Sequence, residues 1–187
     1  IRKAWPNVDI MIRGDSHYRS PEVYDTCREL NLQYTLGLTS NKALMKIIEP
    51  IVKRAKERFA VEQKPFKMYH DFEYQAGTWS EPERVVAKIE YTEKLQLNIR
   101  FVTTSFKDTW RKFIYETSYC GRGQAELYIK EHKRHLGSDR TSSHLFVVNQ
   151  FRLIFFNLAY MILHSFRNRH LKNTCLAKAD FNTIRLK

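Results

Sequence analysis

The stretch VDIMIRGDSHYRSPEVYDTCRELNLQYTLGL, residues 8–38, decides the fold. It opens on Val8-Asp9-Ile10-Met11-Ile12-Arg13, a short and nearly continuous apolar run of the kind that forms a buried strand. Gly14-Asp15-Ser16 ends that run. Ser20-Pro21-Glu22 then marks a helix start: a hydroxyl to cap free N–H groups, a proline where no N–H is needed, and an acid at the positive end of the helix dipole. The helix is expected to run to about Asn31, and Gln33-Tyr34-Thr35-Leu36-Gly37-Leu38 reads as a second strand. Strand, helix, strand is a βαβ unit, which predicts a parallel pair and an α/β fold.

Outward from this unit, Asn41 to Phe59 has helical periodicity, with Pro50 inside it predicting a kink or a split. Three strand-like runs follow, at Phe66–Tyr74, Arg84–Tyr91 and Leu97–Thr104, with no helix between them. They read as an antiparallel meander, so residues 60–105 are expected to form an inserted β subdomain between core parts 1–59 and 106–187. Helical pattern returns from Asp108 to Leu136, with Gly121 and Gly123 as weak points, and Gly137-Ser138-Asp139 breaks it. Ser143 is expected to cap a long helix to about Arg169, whose Leu145, Val148, Phe155, Ala159, Ile162 and Phe166 approximate one stripe. Leu145–Phe166 is the most apolar stretch of the chain, but Asn149, Gln150, Arg152, Asn157 and His164 are costly in lipid. The expectation there is a buried helix and no membrane span.

The chain has 187 residues, 43% of them hydrophobic and 13% aromatic, enough for a real core. Its net charge of +12 points to a polyanionic partner, nucleic acid first, and away from a small-molecule substrate. Cys27, Cys120 and Cys175 are odd in number and form no CxxC pair, so they read as reduced thiols rather than a zinc site or a disulfide framework. No secretory signal is visible at the N-terminus. The chain starts at Ile1 and stops at Thr183-Ile184-Arg185-Leu186-Lys187, within an apolar alternation, and is expected to be a fragment of a longer protein.

Tyr119, Arg122, Glu126 and Lys133 carry the chemistry, spaced Tyr-x2-Arg-x3-Glu-x6-Lys. On a regular helix they fall within an arc of roughly 60°. A carboxylate holds a hard divalent cation, while a guanidinium, an ammonium and a phenol grip phosphate, which is the equipment of a phosphodiester-cutting site. An ordinary amphipathic helix with surface ion pairs has the same residue types. Asp15 follows a buried strand, where sites form in open α/β sheets, and it equally suits a turn aspartate that caps the next segment. Lys130 and Arg134 extend the cationic surface as general phosphate contacts or solvated charges. Trp79, between Gly77-Thr78 and Ser80-Glu81-Pro82, suits either an extruded base or the packing of the meander.

The Tyr-x2-Arg-x3-Glu-x6-Lys pattern matches that of bacterial insertion-sequence DDE transposases, and Ile12-Arg13-Gly14-Asp15-Ser16 resembles the second-aspartate strand of their group 1 DDE domain. The similarity continues through TWSEPERVVAKIE (78–90), NIRFVTT (98–104), RTSSHLFVVNQFRL (140–153) and DFNTIRLK (180–187). This resemblance implies an RNase H-like core, incomplete here, with a β-rich insertion and long C-terminal helices. It implies that Asp15 is the second catalytic acid and Glu126 the third, holding Mg2+ or Mn2+. Tyr119, Arg122, Lys130 and Lys133 would contact DNA, and Trp79 would hold a flipped base. It implies as partners the terminal inverted repeats of an insertion sequence, target DNA and a second copy of the chain, in the bacterial cytoplasm at the nucleoid. One departure is visible: no acid-bearing strand precedes that of Asp15, Asp9 lies on the same strand, and Asp71, Glu73, Asp108 and Asp139 come in the wrong order. The 187-residue chain is therefore expected to be inactive. Two rival readings are a basic, non-catalytic DNA-binding remnant and a different RNase H-like nuclease.

Overall fold

Ser20 accepts a hydrogen bond from the Val23 N–H and starts α1 (Pro21–Glu29), whose Tyr24 and Cys27 are buried. The structure is a computed structural model and describes residues 1–186. On either side of α1 lie β1 (Met11–Gly14) and β2 (Gln33–Leu38), paired in parallel from Met11↔Gln33 to Gly14↔Leu36. The βαβ reading of the sequence is therefore what forms. The first strand begins three residues later than expected, because Val8 is exposed and pairing starts where Gln33 N–H meets the Ile10 carbonyl at 3.0 Å.

Asn41 caps α2 (Lys42–Glu62) by accepting from the Leu44 N–H at 2.8 Å. Pro50 does not split this helix. A helical proline leaves the carbonyl four residues back without its partner, here that of Lys46. Lys46 is on the exposed side of the helix, while Leu44, Ile48 and Ala55 hold both halves on the sheet.

β3 (Phe66–Tyr74), β4 (Glu83–Tyr91) and β5 (Leu97–Thr104) form the expected antiparallel meander. They do not make a sheet of their own. β5 also pairs antiparallel with β2, Thr35↔Thr104 to Leu38↔Phe101, giving one five-stranded sheet in the order β1-β2-β5-β4-β3. The physical reason lies in the side chains: Phe101 to Thr104 are all buried, which only a central strand covered on both faces allows. Alternation along β4 sorts the two faces. Val85, Ala87 and Ile89 join Leu36, Leu44, Ile48 and Phe101 under α1 and α2. Val86 and Val102 lie on the other face with Ile114 and Tyr115.

After β5 the chain turns helical, but not as the regular helix expected over 108–136. One α-turn, α3 (Arg111–Phe113), opens into a π-helical turn (Ile114–Tyr119) and tightens to a 3-10 turn (Cys120–Arg122). There a first compact unit, residues 1–122, ends. A second unit begins with α4 (Gly123–Lys130), which widens to another π-turn (Glu131–His135). Of the two glycines flagged in the sequence, Gly121 is the middle residue of the tight turn and Gly123 follows it directly.

The second unit continues with α5 (Phe146–His170) and α6 (Phe181–Leu186). Ser143 does not cap α5 by its hydroxyl. Its hydroxyl accepts from the Leu145 N–H, ahead of the first helical turn, at 3.2 Å, and its backbone N–H and C=O bond the Asn149 side chain at 3.2 and 2.7 Å. The expectation that α5 is buried is overturned, for none of its residues is. Its large apolar residues include Val147, Phe151, Ile154, Phe155, Met161 and Ile162, which at 100° per residue share an arc of roughly 120°, and all six are exposed. By length and mean hydropathy (25 residues, 1.5) it is long and apolar enough to cross a bilayer. Against lipid stand its polar side chains, Arg152 bonded to the Ser142 hydroxyl and Asn157 bonded to His132 among them. The alternation at the chain's end is helical too, since the Asp180 carboxylate accepts the Thr183 N–H at 2.8 Å and starts α6.

Candidate active site

Asp15 leaves the carboxyl end of β1 with extended backbone and caps a 3-10 turn, Ser16–Tyr18. Its Oδ1 accepts the His17 N–H at 2.9 Å and lies 3.1 Å from His17 Nδ1. The His17 backbone bond, then the His17 ring and the Arg122 guanidinium, hold its carboxyl below the ordinary carboxylate range. The residue is thus both things the sequence allowed: a turn cap, and an ionised carboxylate at the strand end. Neither bond to His17 uses Oδ2.

The last π and 3-10 turns of the first unit bring Tyr119 and Arg122 to this strand end. Arg122 lies over the Tyr119 ring, 5.1 Å from its centre. The approach depends on Gly37 of β2. A Cβ there would lie 2.7 Å from the Tyr119 hydroxyl, 2.9 Å from the Ser16 nitrogen and 3.2 Å from the Asp15 carbonyl carbon. A glycine inside a strand marks such a close approach. That was the available signal, and sequence reasoning passed over it.

Four further residues, Arg13, Thr35, Ser118 and Gly121, dock this segment, and none was singled out for this role from the sequence. Arg13 Nη1 donates to the Ser118 carbonyl at 3.3 Å. Thr35 and Ser118 share a buried hydroxyl–hydroxyl bond of 2.9 Å. Gly121 leaves room for Arg13, since a Cβ there would lie 2.7 Å from the guanidinium. Arg13 and Ser118 are far apart along the chain, so no local pattern announces the pair.

In the second unit, Glu126 and Lys130 stand one turn apart on α4, and Lys133 follows on the π-turn; all three are exposed. The helix carrying them is anchored by Glu131, which sequence reasoning missed. Glu131 is buried and accepts from both terminal nitrogens of Arg167, at 2.5 and 3.4 Å. Arg167 also donates to the Ala179 carbonyl and lies over the Phe181 ring. Next to it Arg134 is exposed, as a solvated cation would be.

The single 60° face expected for Tyr119, Arg122, Glu126 and Lys133 does not form as a regular helix would make it. Two π-turns and a 3-10 turn change the residues per turn between the four. The first unit holds Tyr119 and Arg122, with Asp15; the second holds Glu126 and Lys133. Trp79 is corrected as well. It is 7% exposed, edge-on to Tyr24 at 5.0 Å and to Tyr74 at 5.5 Å, and its carbonyl accepts from Gln75. A ring held in the core is not offered to a base.

The carboxylates present fit a hard divalent cation by donor type, and Asp15 is ionised at neutral pH. Among the described residues no group of three or more His, Cys, Asp or Glu is placed to hold one. The family model of the transposase DDE domain group 1 matches residues 1–187. No curated protein matches the chain, and no solved structure does.

Proposed function

The chain belongs to the transposase DDE domain group 1 family, and from that premise we propose that it serves in cutting insertion-sequence ends and joining them to target DNA. DDE transposases use divalent metal ions in phosphoryl transfer and act on DNA. The observation that carries the reading onto this chain is that Asp15 and Tyr119 meet at Gly37, with Arg122 over the Tyr119 ring and its charge felt by Asp15. Asp15 in the first unit and Glu126 in the second are each proposed as metal ligands, with Mg2+ or Mn2+ as the ion. When bound, such ions supply nucleophile activation and leaving-group stabilisation. Arg122 clamps a phosphate through its planar fork, Lys133 and Lys130 add point charges, and Tyr119 donates to a phosphate oxygen. The fold class proposed is RNase H-like. The protein acts as a homodimer on duplex DNA in the bacterial cytoplasm.

The chain of residues 1–187 by itself is proposed to be inactive, since among the described residues no group of three or more His, Cys, Asp or Glu is placed to hold a metal ion. The same observation favours a second reading, a DNA-binding remnant that need not bind metal. Calorimetric titration of the 187-residue protein with Mn2+ separates the two. On the transposase reading binding is measurable, and Asp15→Ala and Glu126→Ala each weaken it by ten-fold or more. Titration curves that neither substitution alters would remove both residues from the site. Strand joining by a complete catalytic domain separates a transposase from a simple nuclease, which cuts without transfer.

A further inference from the structure

The first unit uses its carboxylates unevenly. On the sheet side, Asp71 pairs with Arg84 and Arg111, Glu90 with Lys88, and Glu116 with Lys67. Helix α2 has six cations against three carboxylates, a net charge of +3, and its one ion pair among the described residues is Arg58–Glu62. Lys42, Lys46 and Lys53 are exposed and unpaired among the described residues. The helix packs on the sheet through Leu44, Ile48 and Ala55. At 100° per residue the three lysines fall on the opposite side, within an arc of roughly 40° and over about 16 Å of helix. Glu49 and Glu57 border this stripe directly, roughly 20° to either side, and bridge none of its lysines among the described residues; Lys56 and Arg54 lie beyond them.

Topology places the stripe. β1 and β2 are parallel, so their carboxyl ends lie at one end of the sheet. Asp15 follows β1 there, and three residues after β2 the same end starts α2 at Lys42. The lysine row thus begins at the end of the sheet that carries Asp15 and leads away along the helix.

We propose that the Lys42–Lys46–Lys53 face of α2 is a second duplex-DNA surface, which grips the phosphodiester backbone without reading sequence. The occupant is fixed by charge complementarity. About 16 Å of duplex presents a phosphate every 3.4 Å on each strand, so three ammonium groups in line neutralise phosphates of one strand. The inference concerns binding alone and stands apart from the metal site proposed above.

The test is the salt dependence of binding to a 30-base-pair duplex of arbitrary sequence, with the 187-residue protein. Lys42→Gln/Lys46→Gln/Lys53→Gln should lower the log–log slope by about 2–3, at about 0.9 per phosphate contact. The matching triple arginine variant should keep the slope. Circular dichroism should show the same helix content in all three proteins. A folded glutamine variant with the wild-type slope, or an arginine variant that loses it, overturns the proposal. If Lys133→Ala lowers the slope and the α2 triple does not, the α2 surface fails and the transposase reading stands. If the α2 triple lowers it and metal binding ignores Asp15 and Glu126, the reverse holds.

Discussion

The two units of this chain treat apolar residues in opposite ways. Nineteen apolar side chains are buried among the described residues; eighteen lie within residues 1–122, and Phe181 alone lies beyond. The first unit sandwiches a sheet between helices on one face and a helical turn on the other. The second leaves eleven large apolar residues of α5 exposed, and its best-buried polar contact is the Glu131–Arg167 pair. A buried ion pair is costly to break from one side, but it does not replace a hydrophobic core. Stability therefore resides in the first unit, and the motif residues Glu126 and Lys133 sit on the unit that has less of it.

One aromatic from each unit tests this most sharply. Trp79→Ala should cost about 3–5 kcal/mol, since it empties a ring from the core against Tyr24 and Tyr74. Phe155→Ala removes a ring that is 56% exposed and should cost under about 0.5 kcal/mol. Urea unfolding followed by far-ultraviolet circular dichroism gives both values. Equal losses would show that α5 is covered in solution and would break the comparison.

A smaller effect is expected where the first unit meets its own site. Gly37→Ala forces a methyl to 2.7 Å from the Tyr119 hydroxyl and 2.9 Å from a backbone nitrogen. It should cost about 1–3 kcal/mol, as overpacking does. Adding Tyr119→Phe should recover only part of that, because the backbone nitrogen of Ser16 remains in the way. Full recovery would show that the Asp15 turn moves freely and that this end of the sheet is looser than the core.

The smallest effect concerns pH. Burial pushes the Asp71 carboxyl up, but the hydrogen-bonded Arg84 and the nearby Arg111 outweigh it and hold the carboxyl below its ordinary value of 3.8. A depressed acid contributes stability that is present above that value and is lost as pH falls through the lower, folded one. Wild type should exceed Asp71→Asn by about 1 kcal/mol at pH 5, and the gap should narrow as pH is lowered below 3.8. Urea midpoints at several acid pH values measure it. A gap constant with pH would mean the pair contributes by shape, not charge.

Local signals were legible and long-range ones were not. Ser20-Pro21-Glu22 announced α1, and β2 ran from Gln33 to Leu38 as the sequence reading had it. The three meander strands were readable one by one. Their return to β2 was not, because Leu38↔Phe101 is a pairing that no periodicity encodes. Of the candidate site, Asp15 was singled out by its place after a buried strand, and it does follow β1, whereas Arg13 meets Ser118 across the fold. The apolar stripe of α5 predicted burial that the structure does not show, because periodicity records which residues are apolar and not what lies opposite them. Trp79 was ambiguous because a loop tryptophan near turn residues has the same sequence signature in a core as beside DNA.

The β2–β5 pairing has a kinetic consequence. β3, β4 and β5 follow one another closely, so the meander zips with little loop to close. Seating β2 beside β5 closes a loop of roughly sixty residues, an entropic cost met before its contacts form. Such non-local steps are slow. The parallel pair that carries Asp15 therefore joins the sheet late, and a refolding chain has its meander before it has its acid in place.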